Sequence, residues 1–411
     1  MSTENKEHQN PSDNLTKDVL KEISHTPTIC RNTWFAPFQV NQVEGRPSSV
    51  TLGAEGNQPP PGVEIQASNL PITTLGSGPG DNTLSLTYGQ ISSLAGDFYG
   101  TSDPISDGSN DEERRRRFMS ALNTLINNPQ DQPKDARNLL EYLQKEIDAV
   151  KNAVAKGLDP STVYKGGEVV DNGWLQYLTL GRKYPKFISY AGLAVINWDH
   201  FGDDARVVYK TGHLAAIKHA ASSTSKDALF QAYSMNAFAD HFLQDLFSAG
   251  HLRTPRRQLH GHFTVTDKCA QYMHDEDCAL GLQVTNEDNH SWTVYGDRRL
   301  LDKVNNENLI KCLDAVQTSA QEVYQAWKNQ TVLNPDDFGA WRKVPTKASA
   351  LSTKQPLAPL FLLGPSGTFA DLQRRDDLND RRTWKYITNW TVAGTLIKLT
   401  GNKRWKYPMQ M

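Results

Sequence analysis

The stretch Asn236–Arg253 reads N-A-F-A-D-H-F-L-Q-D-L-F-S-A-G-H-L-R. It places Asp245 four residues after His241, and four residues on an α-helix return almost to the same direction. An imidazole and a carboxylate one turn apart form a two-point ligand for zinc or a similar borderline cation. His251 follows Gly250, where we expect the helix to end or bend and bring in a third ligand. Taken alone, such a His–Asp pair is more often a simple hydrogen bond, so other parts of the chain must support the metal interpretation.

Histidines are concentrated in the middle of the chain. The sequence contains 11, and all except His8 and His25 fall between His200 and His290. Such clustering is typical of a polynuclear metal site, or of a histidine-rich core. Residues 274–277, H-D-E-D, place one imidazole beside three carboxylates. That combination is costly unless a cation neutralises it or all of it is exposed to water.

Composition limits the class of protein. The 411 residues suffice for one large domain or two of ordinary size. The formal net charge is -2, so no overall field attracts nucleic acid, which we expect to be an unlikely partner. Four scattered cysteines do not make a disulfide scaffold. No stretch approaches the roughly 18 apolar residues of a transmembrane helix, and residues 1–10 lack the apolar core of a secretory signal. We expect a soluble chain, cytoplasmic or exported without a signal peptide.

The spacing of apolar residues indicates a mainly α fold, with a helical domain at 81–330 that contains the candidate metal ligands. Helices are predicted at about 114–127, 134–156, 204–221, 228–249 and 299–329. Residues 1–80 are rich in Asn, Pro, Gly and Ser, which predicts a disordered or extended segment. Residues 331–411 are expected to pack on the helical domain as a C-terminal extension, with a short helix or strand near 384–400. The apolar run 356–363 is one place where a lipid could be contacted.

Three further segments contain candidate site residues, two with metal ligands and one with arginines that could contact a phosphate. Asp97 lies in G-D-F-Y-G, and a carboxylate in a tight turn is well presented to a ligand, although by itself an Asx-turn or helix cap explains it better. His200 ends the sequence I-N-W-D-H-F, which is expected to close a buried helix. The basic loop after His251 contains Arg253 and Arg256, which could contact a phosphate. Simple solvation of a loop explains these arginines equally well.

The run His241-x3-Asp245-x5-His251 resembles the H-x3-D-x5-H core of the zinc-dependent phospholipases C and the S1/P1 nucleases. The wider pattern is similar to a divergent branch, the phosphatidylcholine-hydrolysing phospholipases C of fluorescent pseudomonads and Legionella and the fungal heterokaryon-incompatibility-C proteins. The similar motifs are T-Y-G-Q-I-x3-A-G-D-F-Y-G, N-W-D-H-F, A-D-H-F-L-Q-D-x-F-S-A-G-H-L-R and M-H-D-E-D-x3-G-L. They span about 86–282 in the family's order; the third is fairly specific, and the others are weak individually.

The resemblance implies a multi-helix zinc phospholipase C/P1 nuclease-like bundle with irregular N- and C-terminal extensions, and two or three zinc ions per chain. It assigns to one zinc Asp97, His200, His241 and Asp245, with Asp245 able to bridge metals, and to a second zinc His251, His274 and a carboxylate from Asp275 or Asp277. In the family, a glutamate follows the corresponding second-zinc histidine after three intervening residues (H-x3-E). In this chain, Cys278 occupies that position four residues after His274. His213 and His262 are reserve ligands.

The function implied by the resemblance is hydrolysis of a phosphodiester. Two metals lower the pKa of a water and neutralise the phosphate oxygens, and Asp97 or Asp275 is expected to orient or deprotonate that water. The leading hypothesis is a phospholipase C that cleaves phosphatidylcholine-like lipids to diacylglycerol and a phosphorylated head group, at a membrane surface it contacts transiently. One alternative is a P1-type nuclease; another is a non-catalytic incompatibility or toxin-like protein with structural zinc.

Overall fold

The computed structural model describes residues 71–77, 79–127, 132–164, 169–170, 172–182, 188–261 and 264–401. Within these ranges the chain is mainly helical with only small antiparallel sheets, which confirms the predicted fold class. The predicted N-terminal segment lies almost entirely outside the described residues, as does His262. Across the described part of the chain, no helix is long and apolar enough to cross a membrane.

The helices and strands are numbered here in chain order. The helices are α1 (Tyr88–Leu94), α2 (Asp111–Ile126), α3 (Gln132–Ala155), α4 (Asn172–Leu178), α5 (Tyr190–Val195), α6 (Gly202–Ala220), α7 (Lys226–Asp245), α8 (Ala249–Arg253), α9 (Arg256–Leu259), α10 (Thr264–Leu280), α11 (Asn306–Asn329), α12 (Gly339–Lys343), α13 (Lys347–Ala350) and α14 (Val392–Gly401). The antiparallel sheets are β1–β2 (Pro71–Gly76, Thr83–Thr87), β3–β4 (Leu282–Thr285, Ser291–Val294) and β5–β6–β7 (Phe361–Leu362, Gln373–Arg375, Tyr386–Ile387).

Helix α7 lies at the centre of the fold. It packs along α6, while α1 and α11 contact its other sides. The Ser225 side chain caps its N-terminus by accepting a hydrogen bond from the Ala228 N–H. Phe238, Phe242 and Leu243 are buried in the main core, and full burial of such side chains contributes about 2 kcal/mol each. Apolar packing on several sides therefore fixes the position of the polar residues that α7 also buries.

The central helix ends at Asp245, earlier than the predicted end near residue 249. A turn follows, in which Leu246 and Phe247 are fully buried, and the short α8 then begins. The His251 N–H donates to the Ser248 carbonyl at 3.0 Å. Because the buried turn redirects the chain, the His251 imidazole comes within 3.3 Å of the Asp245 carboxylate.

Two other boundaries differ from the prediction. The buried helix expected to end at His200 is instead α5 followed by a 3-10 turn, Asn197–His200. The last long helix begins at Asn306 and not near residue 299. Asp297 has a φ of 44°, a left-handed conformation that cannot continue into an α-helix, and short 3-10 turns fill the interval.

Much of the C-terminal part, from residue 357 to α14, packs against α10. A separate apolar cluster joins Leu360 and Phe361 to Met273 of α10. The region predicted to hold a short helix or strand contains both β7 and α14. The run 356–363 is largely buried in this part of the fold. It therefore does not offer the exposed apolar surface that the predicted lipid contact requires.

Candidate metal centre

Asp97, His200 and His241 come together in the interior, and we call them the first group. One ligand atom from each lies within 4.8 Å of the others, and all three residues are buried. Asp97 comes from the turn after α1, His200 from the 3-10 turn before α6, and His241 from α7. Residues far apart in sequence thus form one compact set of nitrogen and oxygen donors that could hold a metal ion.

The orientation of His241 leaves one ring nitrogen available. Its Nδ1 lies 2.9 Å from the Ser92 carbonyl oxygen. Because a carbonyl only accepts, Nδ1 must carry the proton, and Nε2 holds a lone pair in the neutral ring. Burial lowers the pKa of His241 to about 4, so the ring is neutral near pH 7. This Nε2 lies 3.0 Å from His200 Nδ1.

His200 connects the first group to Asp245. Its Nδ1 lies 2.9 Å from Asp245 Oδ2, and the same oxygen lies 3.8 Å from His241 Nε2. Burial, reinforced by the positive charge of Arg256, lowers the pKa of His200 to about 3. The ring is therefore neutral near pH 7, which is the protonation state that a metal ligand requires.

Gly96 allows the turn bearing Asp97 to approach the imidazoles. Its φ is +67°, and a Cβ placed on it would lie 2.6 Å from His200 Cε1 and 2.9 Å from His241 Nε2. Neither distance is possible without displacing a ring. Glycine is thus required here for its conformation and for the space it leaves.

His251, His274 and Asp297 form a second buried set, the second group, again with ligand atoms within 4.8 Å of one another. His251 Nδ1 donates to the His200 carbonyl oxygen at 2.9 Å, so Nε2 holds the lone pair in the neutral ring. Burial lowers the pKa of His251 to about 4. Among the described residues, Nε2 has no hydrogen-bond partner, although His251 is only 1% exposed. A buried polar atom left in this way is costly, and a cation would satisfy it.

His274 is held on one side and faces the second group on the other. Its Nδ1 lies 3.0 Å from Asp275 Oδ1, and its Nε2 lies 3.4 Å from Asp297 Oδ2. Burial opposes protonation of this ring, but nearby negative charge, chiefly that of Asp297, prevails and raises the pKa of His274 well above its usual value. Protonation of the His274 ring is therefore favoured when no cation is bound.

Asp297 was not among the residues predicted from the sequence. The residue follows Gly296 after β4 and lies in the positive-φ conformation noted above. The Ser248 hydroxyl donates to its Oδ1 at 3.2 Å. Backbone conformations of this kind often occur at functional sites. One signal in the sequence was available, because Gly296-Asp297 repeats the Gly-Asp pair that carries Asp97.

Asp275 and Asp277, the alternative carboxylates for a second zinc, lie in different surroundings. Asp275 contacts the outer nitrogen of His274 and so orients that ring. Both oxygens of Asp277 accept hydrogen bonds from Arg253, at 2.7 and 2.8 Å. Arg253 also donates to two backbone carbonyls. A buried guanidinium needs a compensating carboxylate, so this pair links α8 to α10 and is not part of the second group.

The other predicted residues also have structural partners. Arg256 is buried and donates to Asn197 and Asp267, which leaves it poorly placed to meet a phosphate. Both ring nitrogens of the reserve ligand His213 are engaged, by Asn236 at 2.5 Å and Glu322 at 3.0 Å. His213 therefore belongs to a separate buried hydrogen-bond network on α6, α7 and α11.

A small cavity adjoins the first group. Its lining includes Gly96, Asp199, His200 and Phe242, and its volume is about 40 Å³. That is room for a few water molecules. The Asp199 carboxylate accepts hydrogen bonds from the backbone N–H groups of Ile105 and Ser106, which fixes one wall. Water can thus be placed beside the first group, although a lipid head group does not fit.

Comparison of the chain with protein-family models, with curated proteins and with solved structures gives no match. The function is therefore inferred from the two buried groups themselves, each of which could hold a metal ion.

Proposed function

We propose that the two groups bind two divalent cations, zinc being the best match, and that the protein is a zinc-dependent phosphodiester hydrolase of the phospholipase C type. The main support for the proposal is a hydrogen-bonding arrangement common to His241, His251 and His274. Each holds its Nδ1 against an oxygen atom and directs Nε2 inward. Ligating histidines in metalloproteins characteristically have this outer hydrogen bond, which fixes the ring and its tautomer.

The donor atoms suit zinc. Imidazole nitrogens with a few carboxylate oxygens are the usual zinc ligands, whereas magnesium and calcium prefer oxygen alone. Asp245 lies between the groups, with Oδ2 near His200 and Oδ1 near His251. Its negative charge is thus placed to stabilise cations at both groups. When bound, two such cations neutralise phosphate oxygens and make water acidic enough to attack near neutral pH.

The protein's own residues have distinct parts in this proposal. Asp97 is the carboxylate of the first group, next in sequence to Gly96 of the cavity lining. In this proposal it orients the attacking water or accepts its proton. Asp275 fixes the His274 ring through its outer nitrogen. Asp297, and not Asp275 or Asp277, is the carboxylate of the second group.

Phosphatidylcholine-like lipid is the substrate class that we favour. The net charge of -2 provides little attraction for a polyanionic nucleic acid. A partly exposed pair of stacked rings, Trp174 and Tyr177, with centroids 4.8 Å apart, lies near the exposed Leu180. Such side chains suit transient contact with a membrane surface. Diacylglycerol and a phosphorylated head group would be the products.

Burial of both groups favours one alternative, in which zinc only stabilises the helices of a non-catalytic protein. All the ligands named are at most 8% exposed. Thr101, Asp103 and Ile105 line the small cavity beside the first group, and in our proposal this loop moves to admit a lipid phosphate. A structural site needs no such movement.

The deciding experiment uses zinc-loaded protein and its His241→Ala variant. Hydrolysis of a short-chain phosphatidylcholine is measured beside cleavage of single-stranded DNA. Lipid hydrolysis that falls at least about 100-fold in the variant supports the proposal. Cleavage of DNA alone favours the P1-type nuclease. Zinc binding without either activity favours the structural alternative, and full lipid hydrolysis by the variant overturns the phospholipase mechanism.

A further inference from the structure

Cys278 lies beside the second group, one helical turn after His274 on α10. Its Sγ is 3.7 Å from His274 Nε2 and 3.5 Å from Asp297 Oδ1. Neighbouring donors around a tetrahedral zinc ion lie about 3.5 Å apart when the bonds have their usual lengths. The distances from the thiol to these two members of the second group are therefore those expected between two ligands of one zinc ion.

The surroundings of Cys278 differ from those of the other described cysteines. Cys269 and Cys312 belong to apolar clusters and behave as small hydrophobic side chains. The Cys278 thiol instead contacts polar atoms of His274, Asp297 and Ser248, the last at 3.6 Å. Simple core packing does not require a thiol in such an environment.

Two glycines make space for this thiol. A Cβ on Gly250 would lie 2.6 Å from Cys278 Sγ, and a Cβ on Gly296 would lie 2.4 Å from it. The backbone just before His251 and the backbone just before Asp297 thus both approach the sulfur closely. This closeness brings one ligand-bearing segment from α8 and another from the turn after β4 to the same point.

His251 provides an independent indication that a ligand binds here. Its buried Nε2, without a hydrogen-bond partner among the residues described, lies 4.0 Å from Asp297 Oδ1. The same carboxylate oxygen is the one nearest the thiol. The unsatisfied His251 nitrogen and the Cys278 thiol therefore lie near the same carboxylate oxygen, Asp297 Oδ1.

We infer that Cys278 is the fourth donor of the second group, beside His251, His274 and Asp297, and that this group selects a thiophilic divalent cation. Binding replaces the S–H bond with a sulfur–metal bond and releases the proton to water. A thiolate disfavours magnesium and calcium and favours zinc, cobalt or cadmium. The inference rests on the proposed function, because the second group is one of its two metal sites.

Cobalt(II) loading of the full chain tests the inference without any activity assay. A thiolate bound to cobalt gives a near-ultraviolet charge-transfer band, while the visible ligand-field bands report bound cobalt of any ligation. The sequence contains four cysteines, so the triple variant Cys30→Ala, Cys269→Ala, Cys312→Ala leaves Cys278 alone. We expect wild type and this triple variant to show the charge-transfer band. Cys278→Ser should lose it while keeping visible bands.

The outcomes separate this inference from the proposed function. Visible bands without a charge-transfer band in wild type overturn the role of Cys278 and leave the metal centre intact. Absence of any cobalt uptake overturns both. If Cys278→Ser does not fold, as judged by circular dichroism, the triple variant decides alone: a retained band supports Cys278, and a lost band overturns it. Excess cadmium should displace the bound cobalt, whereas magnesium and calcium should not.

Discussion

Asp245 Oδ1 lies 3.3 Å from His251 Nδ1, across the turn that separates α7 from α8. The other oxygen of the same carboxylate lies 2.9 Å from His200. One fully buried side chain thus contacts residues of both groups. The break in the helix after Asp245 makes this arrangement possible, because a continuous helix would carry His251 away from the first group.

Asp245→Asn is expected to weaken metal binding at both groups, because the change removes a negative charge located between them. Zinc content measured by elemental analysis after dialysis should fall well below that of wild type. Asp240→Asn is a matched control, since Asp240 is equally buried on α7 but bonds to Tyr88 and Ser319. Wild-type zinc content in Asp245→Asn would contradict the linking role.

Asp297→Asn and Asp277→Asn should affect different properties, namely the zinc content and the stability of the fold. The first removes a donor of the second group and should cost about one zinc ion per chain, with a smaller effect on the fold. The second leaves Arg253 buried without its carboxylate and should lower the free energy of unfolding by about 3 kcal/mol. Zinc content and urea unfolding, measured on both variants, distinguish them. Loss of zinc in Asp277→Asn without loss of stability would mean that Asp277 is the ligand.

Gly96→Ala should disrupt the first group specifically. The added Cβ would collide with the rings of His200 and His241, in addition to the cost of a positive φ. Gly157→Ala is the control, because Gly157 has a φ of +71° and nothing within 4 Å of its added Cβ. Both variants should lose about 1 kcal/mol for conformation, but only Gly96→Ala should lose zinc. Equal zinc contents would show that the close approach is unimportant.

Acid should destabilise the metal-free protein. Burial depresses the pKa of His200 to about 3 and that of His241 and His251 to about 4. The unfolded chain binds these protons near pH 6.5, so the stability is present above that pH and is lost as the pH falls from 6.5 towards 4. Each ring should contribute about 1–2 kcal/mol of this loss between pH 7 and pH 5. His274, whose pKa is raised, offsets part of it.

Urea unfolding of chelator-treated protein from pH 7 to pH 5 measures this dependence. The triple variant His200→Gln, His241→Gln, His251→Gln should show a clearly shallower decline in unfolding free energy. An unchanged slope in that variant would show that the three rings are not the groups that titrate. Zinc should restore stability at pH 7 more than at pH 5, because protons compete for the same nitrogens.

Sequence alone could predict the candidate residues whose geometry is local. His241 and Asp245 are one turn apart on a helix, a relation that the spacing fixes directly. The Gly-Asp turn drew attention to Asp97, but only the family resemblance suggested it as a ligand. The mainly helical structure could also be predicted from the sequence. Long amphipathic helices such as α3 and α11 have a periodic spacing of apolar residues that can be read from the order of residues alone.

The remaining features depend on long-range contacts. In 274–277, successive side chains point about 100° apart on a helix, and only the position of Arg253 shows that Asp277 faces away from the second group. Asp297 joins His251 and His274 through a left-handed turn that no local spacing predicts. The early end of α7 likewise results from burial of Leu246 and Phe247, which depends on the surrounding helices.

The most direct test of the two-metal centre is the zinc content of protein purified without added zinc and then equilibrated with it. We expect two zinc ions per chain, and about one fewer in His241→Ala, with the helical content of the variant preserved by circular dichroism. Wild-type protein that binds no zinc after equilibration would exclude a metal centre. The two groups would then be a packed core with unusual histidines.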